Sequence, residues 1–170
     1  MAQSVITIDA TVGGASTNSY LSLADAEILI HQRPFHTAWD KINDDDEKKA
    51  ALIWATMILS HRTWLGSIVS DAQKQAHPRS GLYDFDGRLY ADDEYPEWLT
   101  LACSELAYYL ATEDRLNDSG TEGYSEIKVA SIMVKIDKAD RSQVIPDFIL
   151  TAIRPWLERG AMYNAQVKRV

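Results

Sequence analysis

The apolar residues of this chain repeat mostly with the spacing of one face of an amphipathic helix. The clearest repeat follows an acidic run at residues 44–47 and comprises Ala51, Leu52, Ala55, Ile58 and Leu59. Acidic residues favour a helix start, because the helix macrodipole places partial positive charge at the N-terminus. We therefore predict a helix over residues 44–59, and we interpret the acidic run as its solvated start rather than as a calcium site.

Three further helices are predicted from caps and prolines. Ser22 can cap a helix that runs to about Arg33 and stops before a proline. Pro96 opens a helix that reaches about residue 115, since the missing N–H of proline is not needed in the first turn. Pro146 begins a short final helix that is interrupted or ends near Pro155.

Short strands are predicted at three places. The alternating, β-branched residues 5–8 predict a strand, and an Asp-Gly turn at residues 86–87 predicts a hairpin between residues 82–83 and 89–90. Residues 127–129 and 132–136 resemble a strand pair. The predicted fold class is therefore mainly α: a small bundle of about four helices with a short β-hairpin or strand element.

The last residues carry no amphipathic pattern. We predict one helical domain over residues 1–159 and an extended C-terminal arm over residues 160–170. One interpretation of residues 160–170 is a disordered chain end, since chain termini commonly fray. The functional interpretation is an arm that orders on a partner. Its candidate contact residues comprise the apolar anchors Met162, Tyr163 and Val167 and the basic pair Lys168 and Arg169.

The chain is acidic, with a formal charge of -8 from 25 acids and 17 basic residues. This balance argues against tight binding of phosphate backbones, which relies on clustered Lys and Arg. No stretch approaches the roughly 20 apolar residues of a membrane span, and residues 1–4 lack the pattern of a signal peptide. The single Cys103 cannot form an intramolecular disulfide and is expected to be buried in a helix, which suits synthesis in a reducing cytoplasm.

The sequence contains no recognisable catalytic or metal-binding motif. The four histidines, which are His31, His36, His61 and His77, lack helical i, i+4 pairing with one another and cysteine partners. The acids of residues 84–94 do not fit the EF-hand spacing and are interpreted as solvated turn residues. Nucleotide-binding and hydrolase motifs are not found. We expect no catalytic residues, no cofactor, no metal ligand and no enzymatic activity.

Four blocks resemble one protein family when they are taken in order. They are NSYLSLADA at residues 18–26, KKAALIWAT at 48–56, QAHPRSGLYDFDG at 75–87, and Tyr95-Pro96 followed by Ala102 and Glu105-Leu106-Ala107. The sequence departs from the family pattern at His77, where the family usually has Trp. The blocks resemble the head-tail connector family (adaptors or head-completion proteins) of tailed bacteriophages, some members of which are labelled DnaT-like single-stranded-DNA-binding proteins.

The resemblance implies a structural virion protein at the head-tail interface. Such adaptors form a ring, usually of twelve copies, beneath the portal protein, and they offer a docking surface to the next neck or tail protein. DNA passes through their channel without specific binding, and they require no cofactor and no membrane. The resemblance also implies attachment to the portal through the C-terminal segment, which favours the arm.

A different class of function stays open beside this one. A cytoplasmic, DnaT-like protein that binds single-stranded DNA would need a basic groove with stacking aromatic side chains. The residues that could form it are Arg62, Trp64, Arg79, Tyr83, Arg88 and Tyr90, although acids interrupt them throughout.

Overall fold

The computed structural model describes residues 5–113, 116, 126–129, 132–135 and 144–158, with the backbone alone for the two ranges between 126 and 135. The described chain is mainly helical, as predicted. Its helices are α1 (Leu23–His31), α2 (Thr37–Asp40), α3 (Asp45–Ser60), α4 (Glu97–Thr112) and α5 (Asp147–Ile153), and a 3-10 turn (Arg154–Trp156) follows α5. The short α2 is the helix that the sequence pattern did not predict.

The hydrophobic core lies between α3 and α4, with α1 and α5 packed against α4. Leu52 and Leu59 of α3 are fully buried, as are Leu99 and Leu106 of α4. Burying one such side chain stabilises the fold by about 1.5–3 kcal/mol. The apolar spacing that predicted these two helices is therefore also what joins them.

Side-chain caps fix where two of the helices begin. The Ser22 hydroxyl accepts a hydrogen bond from the Asp25 backbone N–H at 3.2 Å, and the Asp44 carboxylate accepts one from the Asp46 N–H at 2.9 Å. Both bonds satisfy N–H groups that lack a partner within the helix. The predicted starts of α1 and α3 are thus confirmed. Helix α1 ends at His31, slightly before the predicted residue 33, because the chain turns ahead of Pro34.

The strands are short and form two antiparallel pairs. Strand β1 (Ser67–Ile68) pairs with β2 (Arg79–Ser80), a pairing that the sequence pattern did not indicate. Strand β3 (Glu126–Val129) pairs with β4 (Ile132–Lys135), and this confirms the predicted strand pair.

The strand predicted over residues 5–8 was wrong. Side chains rather than a neighbouring strand satisfy its backbone groups: the Ile6 N–H donates to the Asp46 carboxylate at 3.2 Å, and the Asn18 side-chain amide donates to the Thr7 carbonyl at 2.9 Å. Alternating β-branched residues favour extended backbone but cannot supply the partner strand that a ladder needs.

The hairpin predicted around the Asp-Gly turn is present in reduced form. Tyr83 and Leu89 form one isolated antiparallel bridge, and Gly87 adopts a positive φ of 79° in the turn. The Asp84 N–H donates to the Arg88 carbonyl at 2.9 Å. We call residues 82–90 the hairpin.

None of the described helices combines the length and apolarity that a bilayer span requires. The C-terminal arm predicted over residues 160–170 lies outside the described residues, so the division into domain and arm stays a prediction.

His77 is the most unusual buried side chain of the core. It is 0% exposed, and neither ring nitrogen has a hydrogen-bond partner. Its ring stands nearly perpendicular to those of Tyr20, Trp64 and Trp98, with centroids 4.9–6.1 Å away. Burial lowers the pKa of His77 from 6.5 to about 3, because the imidazolium would lose its hydration in this aromatic surrounding.

We expect acid to destabilise the protein through His77. Between pH 6.5 and about 3, His77 is protonated in the unfolded chain but neutral in the folded protein. The free energy of unfolding is therefore highest above pH 6.5 and decreases as the pH falls through this range. The loss between pH 7.5 and pH 5 should be about 2 kcal/mol, as measured by urea unfolding.

The variant His77→Phe keeps an aromatic ring of similar size and should lose most of this pH dependence. The matched control is His61→Gln, because His61 is exposed and should leave the dependence unchanged. Equal pH dependence in His77→Phe and the unmodified protein would contradict the assignment.

Candidate functional site

The segment that connects α3 to α4, residues 61–96, holds most of the residues that the sequence singled out. We call it the connecting loop. Its only regular elements are the β1–β2 pair and the hairpin, so much of its backbone must find hydrogen bonds elsewhere. Gly66 allows the chain to turn into β1: its φ is 72°, and a Cβ there would collide with the Ser80 carbonyl.

Arg79 supplies many of the missing hydrogen bonds. Its guanidinium donates to four backbone carbonyls of the connecting loop: Leu65 at 2.7 Å, Gly66 at 2.7 Å, Ala76 at 3.2 Å and Trp64 at 3.3 Å. A guanidinium offers five N–H donors in a rigid fork, so one side chain can hold several carbonyls. Arg79 therefore serves the fold and is not free to bind a phosphate.

A second set of hydrogen bonds ties the connecting loop to the start of the chain. The Tyr20 and Ser60 hydroxyls lie 2.6 Å apart, the Ser60 hydroxyl donates to Gln75 at 2.7 Å, and the Gln75 amide donates to the Thr17 carbonyl at 2.8 Å. The Tyr20 N–H donates to the Thr56 hydroxyl at 3.0 Å. Polar residues within three of the four sequence blocks thus form one largely buried network, which is a structural role.

Aromatic rings run in a row from the core to the hairpin. The ring centroids of Trp64 and Trp98 lie 5.5 Å apart, and those of Trp156 and Phe85 lie 5.3 Å apart. Between them, Trp98 stacks on Trp156 with parallel planes and a centroid distance of 4.3 Å. The Trp156 Nε1–H also donates to the Tyr83 carbonyl at 2.9 Å. We call these four rings the aromatic row. Trp64 and Trp156 are buried and Trp98 is partly buried, whereas Phe85 at the outer end is 81% exposed.

The structure does not assemble the groove considered for single-stranded DNA. Trp64 is buried and donates its indole N–H to the Leu59 carbonyl, and Arg79 is held by carbonyls as described above. Arg88 is exposed but lies 3.7 Å from the Asp86 carboxylate, beside Tyr83. Tyr90 packs against Trp156, and Arg62 is exposed at the start of the connecting loop.

Several other basic side chains are also paired. Arg33 lies 3.6 Å from Glu105 and stacks over the ring of Tyr108, and Lys48 lies 3.0 Å from Glu27. Lys49 contacts Asp46 at 2.9 Å. Acidic side chains outnumber basic ones in the described ranges, so the charge of this part of the surface is net negative.

The acids of the hairpin act as turn residues, as predicted. The Asp84 carboxylate accepts hydrogen bonds from the Asp86 and Arg88 backbone N–H groups at 2.9 and 2.7 Å. These bonds stabilise the turn by the same mechanism as other Asp-initiated turns.

Cys103 is fully buried, as predicted. Burial raises the pKa of its thiol to about 12, and its sulfur lies 3.4 Å from the Thr56 hydroxyl. A thiol with so high a pKa is not a nucleophile at neutral pH.

An open groove of about 560 Å³ lies between α3 and the connecting loop. Its lining includes Ile53, Met57, His61 and Ile68, and it contains no carboxylate from the described residues.

The structure brings together three residues that sequence reasoning kept apart. His31 at the end of α1, His36 before α2 and Asp40 of α2 have potential metal-ligand atoms within 4.8 Å of one another. The available signal was the i, i+4 spacing of His36 and Asp40, which becomes visible only once α2 is recognised. The candidate arm residues, which are Met162, Tyr163, Val167, Lys168 and Arg169, lie outside the described residues.

A protein-family model matches residues 5–170 of the chain. Its description is "Putative DnaT-like ssDNA binding protein". The chain belongs to this DnaT-like family. Searches of curated proteins and of solved structures found no match.

Membership in the DnaT-like family agrees with one part of the resemblance seen in the sequence. The match extends over the domain and the predicted arm alike, and it includes all four sequence blocks. The description of this DnaT-like family names single-stranded DNA as the ligand, which supports the second class of function considered above more directly than the first.

For this DnaT-like protein we expect Arg79→Gln to lower the free energy of unfolding by about 2 kcal/mol, because the loop carbonyls lose a charged donor. The matched control is Arg88→Gln, since the Arg88 side chain is 78% exposed and should contribute less than about 0.5 kcal/mol. Urea unfolding of both variants measures the difference. Equal stability of the two variants would refute the role given to Arg79.

Proposed function

We propose that this DnaT-like protein is a structural head-tail adaptor of a tailed bacteriophage, which forms a ring beneath the portal and offers a docking surface to the next neck or tail protein. The proposal rests on the four sequence blocks and on one observation about the surface. The arginine and the inner aromatic rings of the connecting loop serve the fold, whereas an apolar hairpin tip is left exposed on a rigid support.

The hairpin tip has the character of a protein contact. Phe85 is 81% exposed, Leu89 is 62% exposed and Tyr83 is 56% exposed. Exposed apolar and aromatic side chains that lie together are typical of interaction sites, because aromatic residues are enriched in interfaces. Trp156 supports the tip from below, so a partner would meet a surface that is already ordered and would spend little entropy on ordering it.

The acidic balance of the chain supports the same proposal. A channel wall that attracted the phosphates of a passing duplex would retard its movement, whereas a net charge of -8 gives weak or repulsive interaction. Pairing of Arg33, Lys48 and Lys49 with carboxylates further reduces the positive charge available to DNA.

The second candidate function is single-stranded-DNA binding, and the family description favours it. It requires a basic groove with stacked aromatic side chains. In the described part of the chain Trp64 and Arg79 are unavailable for this role. The contact would therefore have to use exposed residues such as Arg62 and Arg88, together with basic residues outside the described ranges.

A salt titration separates the two functions. We expect a fluorescent single-stranded oligonucleotide to show no saturable anisotropy change with micromolar protein at 0.15 M salt, and no steep gain at lower salt. For genuine binding of single-stranded DNA, the logarithm of the association constant falls linearly with the logarithm of the salt concentration, with a slope near -0.7 per phosphate contact. Saturable binding with such a slope, weakened by Arg62→Gln, would establish the DNA-binding function instead.

The adaptor proposal also predicts a separable role for the C-terminal segment. A chain truncated after Arg159 should fold normally, because α5 and the 3-10 turn precede the cut and Trp156 keeps its contacts. It should nevertheless fail to join portal-bearing heads, as measured by sedimentation of heads mixed with purified protein.

The control for this experiment is Lys168→Gln/Arg169→Gln in the full chain, which keeps the apolar anchors of the arm and should bind more weakly but detectably. Far-UV circular dichroism checks that each protein is folded. Incorporation of the truncated chain to the same level as the full chain would eliminate the arm as the portal attachment.

A further inference from the structure

The end of α1 and the helix α2 present three polar side chains to a common point. The His31 Nε2 lies 3.0 Å from Asp40 Oδ1, and the His36 Nδ1 lies 2.7 Å from Asp40 Oδ2. The two imidazole rings are nearly perpendicular, with centroids 5.0 Å apart. We call His31, His36 and Asp40 the His–Asp–His cluster.

The fold fixes the backbones that carry this cluster. The chain turns tightly after α1, where the Gln32 and Arg33 N–H groups donate to the carbonyls of Leu29 and Ile30. Trp39 of α2 is 0% exposed and anchors that helix against the core, with the Lys48 ammonium 5.5 Å over its ring. His36 and Asp40 therefore keep their positions relative to His31 without depending on their mutual hydrogen bonds.

The donor set is that of a transition-metal site. We propose that the His–Asp–His cluster binds a divalent transition-metal ion, with Zn²⁺ as the representative, through His31 Nε2, His36 Nδ1 and one carboxylate oxygen of Asp40. Zinc accepts imidazole nitrogen at about 2.0–2.1 Å and carboxylate oxygen at about 2.0–2.2 Å. These bond lengths place tetrahedral ligand atoms about 3.3 Å apart, which exposed side chains within 4.8 Å of one another reach by small rotations.

The choice of metal follows from the ligands. Two imidazole nitrogens favour zinc and its neighbours over Ca²⁺ and Mg²⁺, which prefer sets composed of oxygen alone. The side chains are 36–50% exposed, so an ion can enter from solvent and water can occupy the remaining position. On metal binding each neutral imidazole carries its single proton on the ring nitrogen that does not bind the ion, which is Nδ1 of His31 and Nε2 of His36.

The test is calorimetric titration of the full chain with ZnCl₂ at pH 7.5. We expect one zinc site per chain, with affinity reduced at least about tenfold in His31→Gln and in His36→Gln, since even the loss of an outer partner of a metal ligand costs about 10–100-fold. The matched control is His61→Gln, which removes an exposed histidine outside the cluster and should bind zinc like the unmodified chain.

A second measurement uses the unmodified protein and does not depend on variants. Co²⁺ should bind with the visible absorption of a low-symmetry site and should shift or broaden the ring proton resonances of His31 and His36 but not those of His61. If zinc affinity is the same in all three variants, or if Co²⁺ leaves the His31 and His36 resonances unchanged, the cluster is only a hydrogen-bonded link between α1 and α2 and the proposal fails.

Discussion

A single guanidinium decides the shape of the connecting loop. More than thirty residues run between α3 and α4 with two short strands and two isolated bridges, so regular structure cannot satisfy most of their backbone polar groups. Arg79 binds four of the carbonyls, three just before β1 and one between β1 and β2, and thereby holds the chain segments that lead into the two strands together. These bonds fix the backbone at Trp64 and next to His77, whose rings lie 4.9 Å apart between their centroids.

The same arrangement accounts for the limited choice of functions. Arg79 and Trp64 are of the residue types that bind nucleic acid, but in the connecting loop both donate hydrogen bonds to backbone carbonyls and so stabilise the fold. The described surface is net acidic and carries exposed apolar side chains such as Phe85 and Leu89. Exposed apolar side chains that lie together are typical of protein contacts. The description of the DnaT-like family names single-stranded DNA as the ligand, whereas the four sequence blocks resemble those of head-tail connector proteins.

Sequence reasoning recovered the elements that depend on local signals. Helices α1 and α3 were predictable because their signals lie in neighbouring residues: the caps at Ser22 and Asp44 and the apolar face of α3. Strand pairing and site geometry depend on distant residues. The segment at 5–8 looks like a strand but meets only side chains, and the approach of His31 to Asp40 requires a four-residue helix that has too few residues for a periodic pattern.

The aromatic row also links two parts of the molecule that a partner would meet separately. Trp156 touches Phe85 at the hairpin tip, and two residues later the Glu158 N–H donates to the Thr63 carbonyl at 2.9 Å, where the described chain ends. The tip and the root of the C-terminal segment are therefore held by one stack of rigid rings. Because the same rings hold both, a change at Trp156 would alter the hairpin tip and the start of the C-terminal segment together, and the two cannot vary independently.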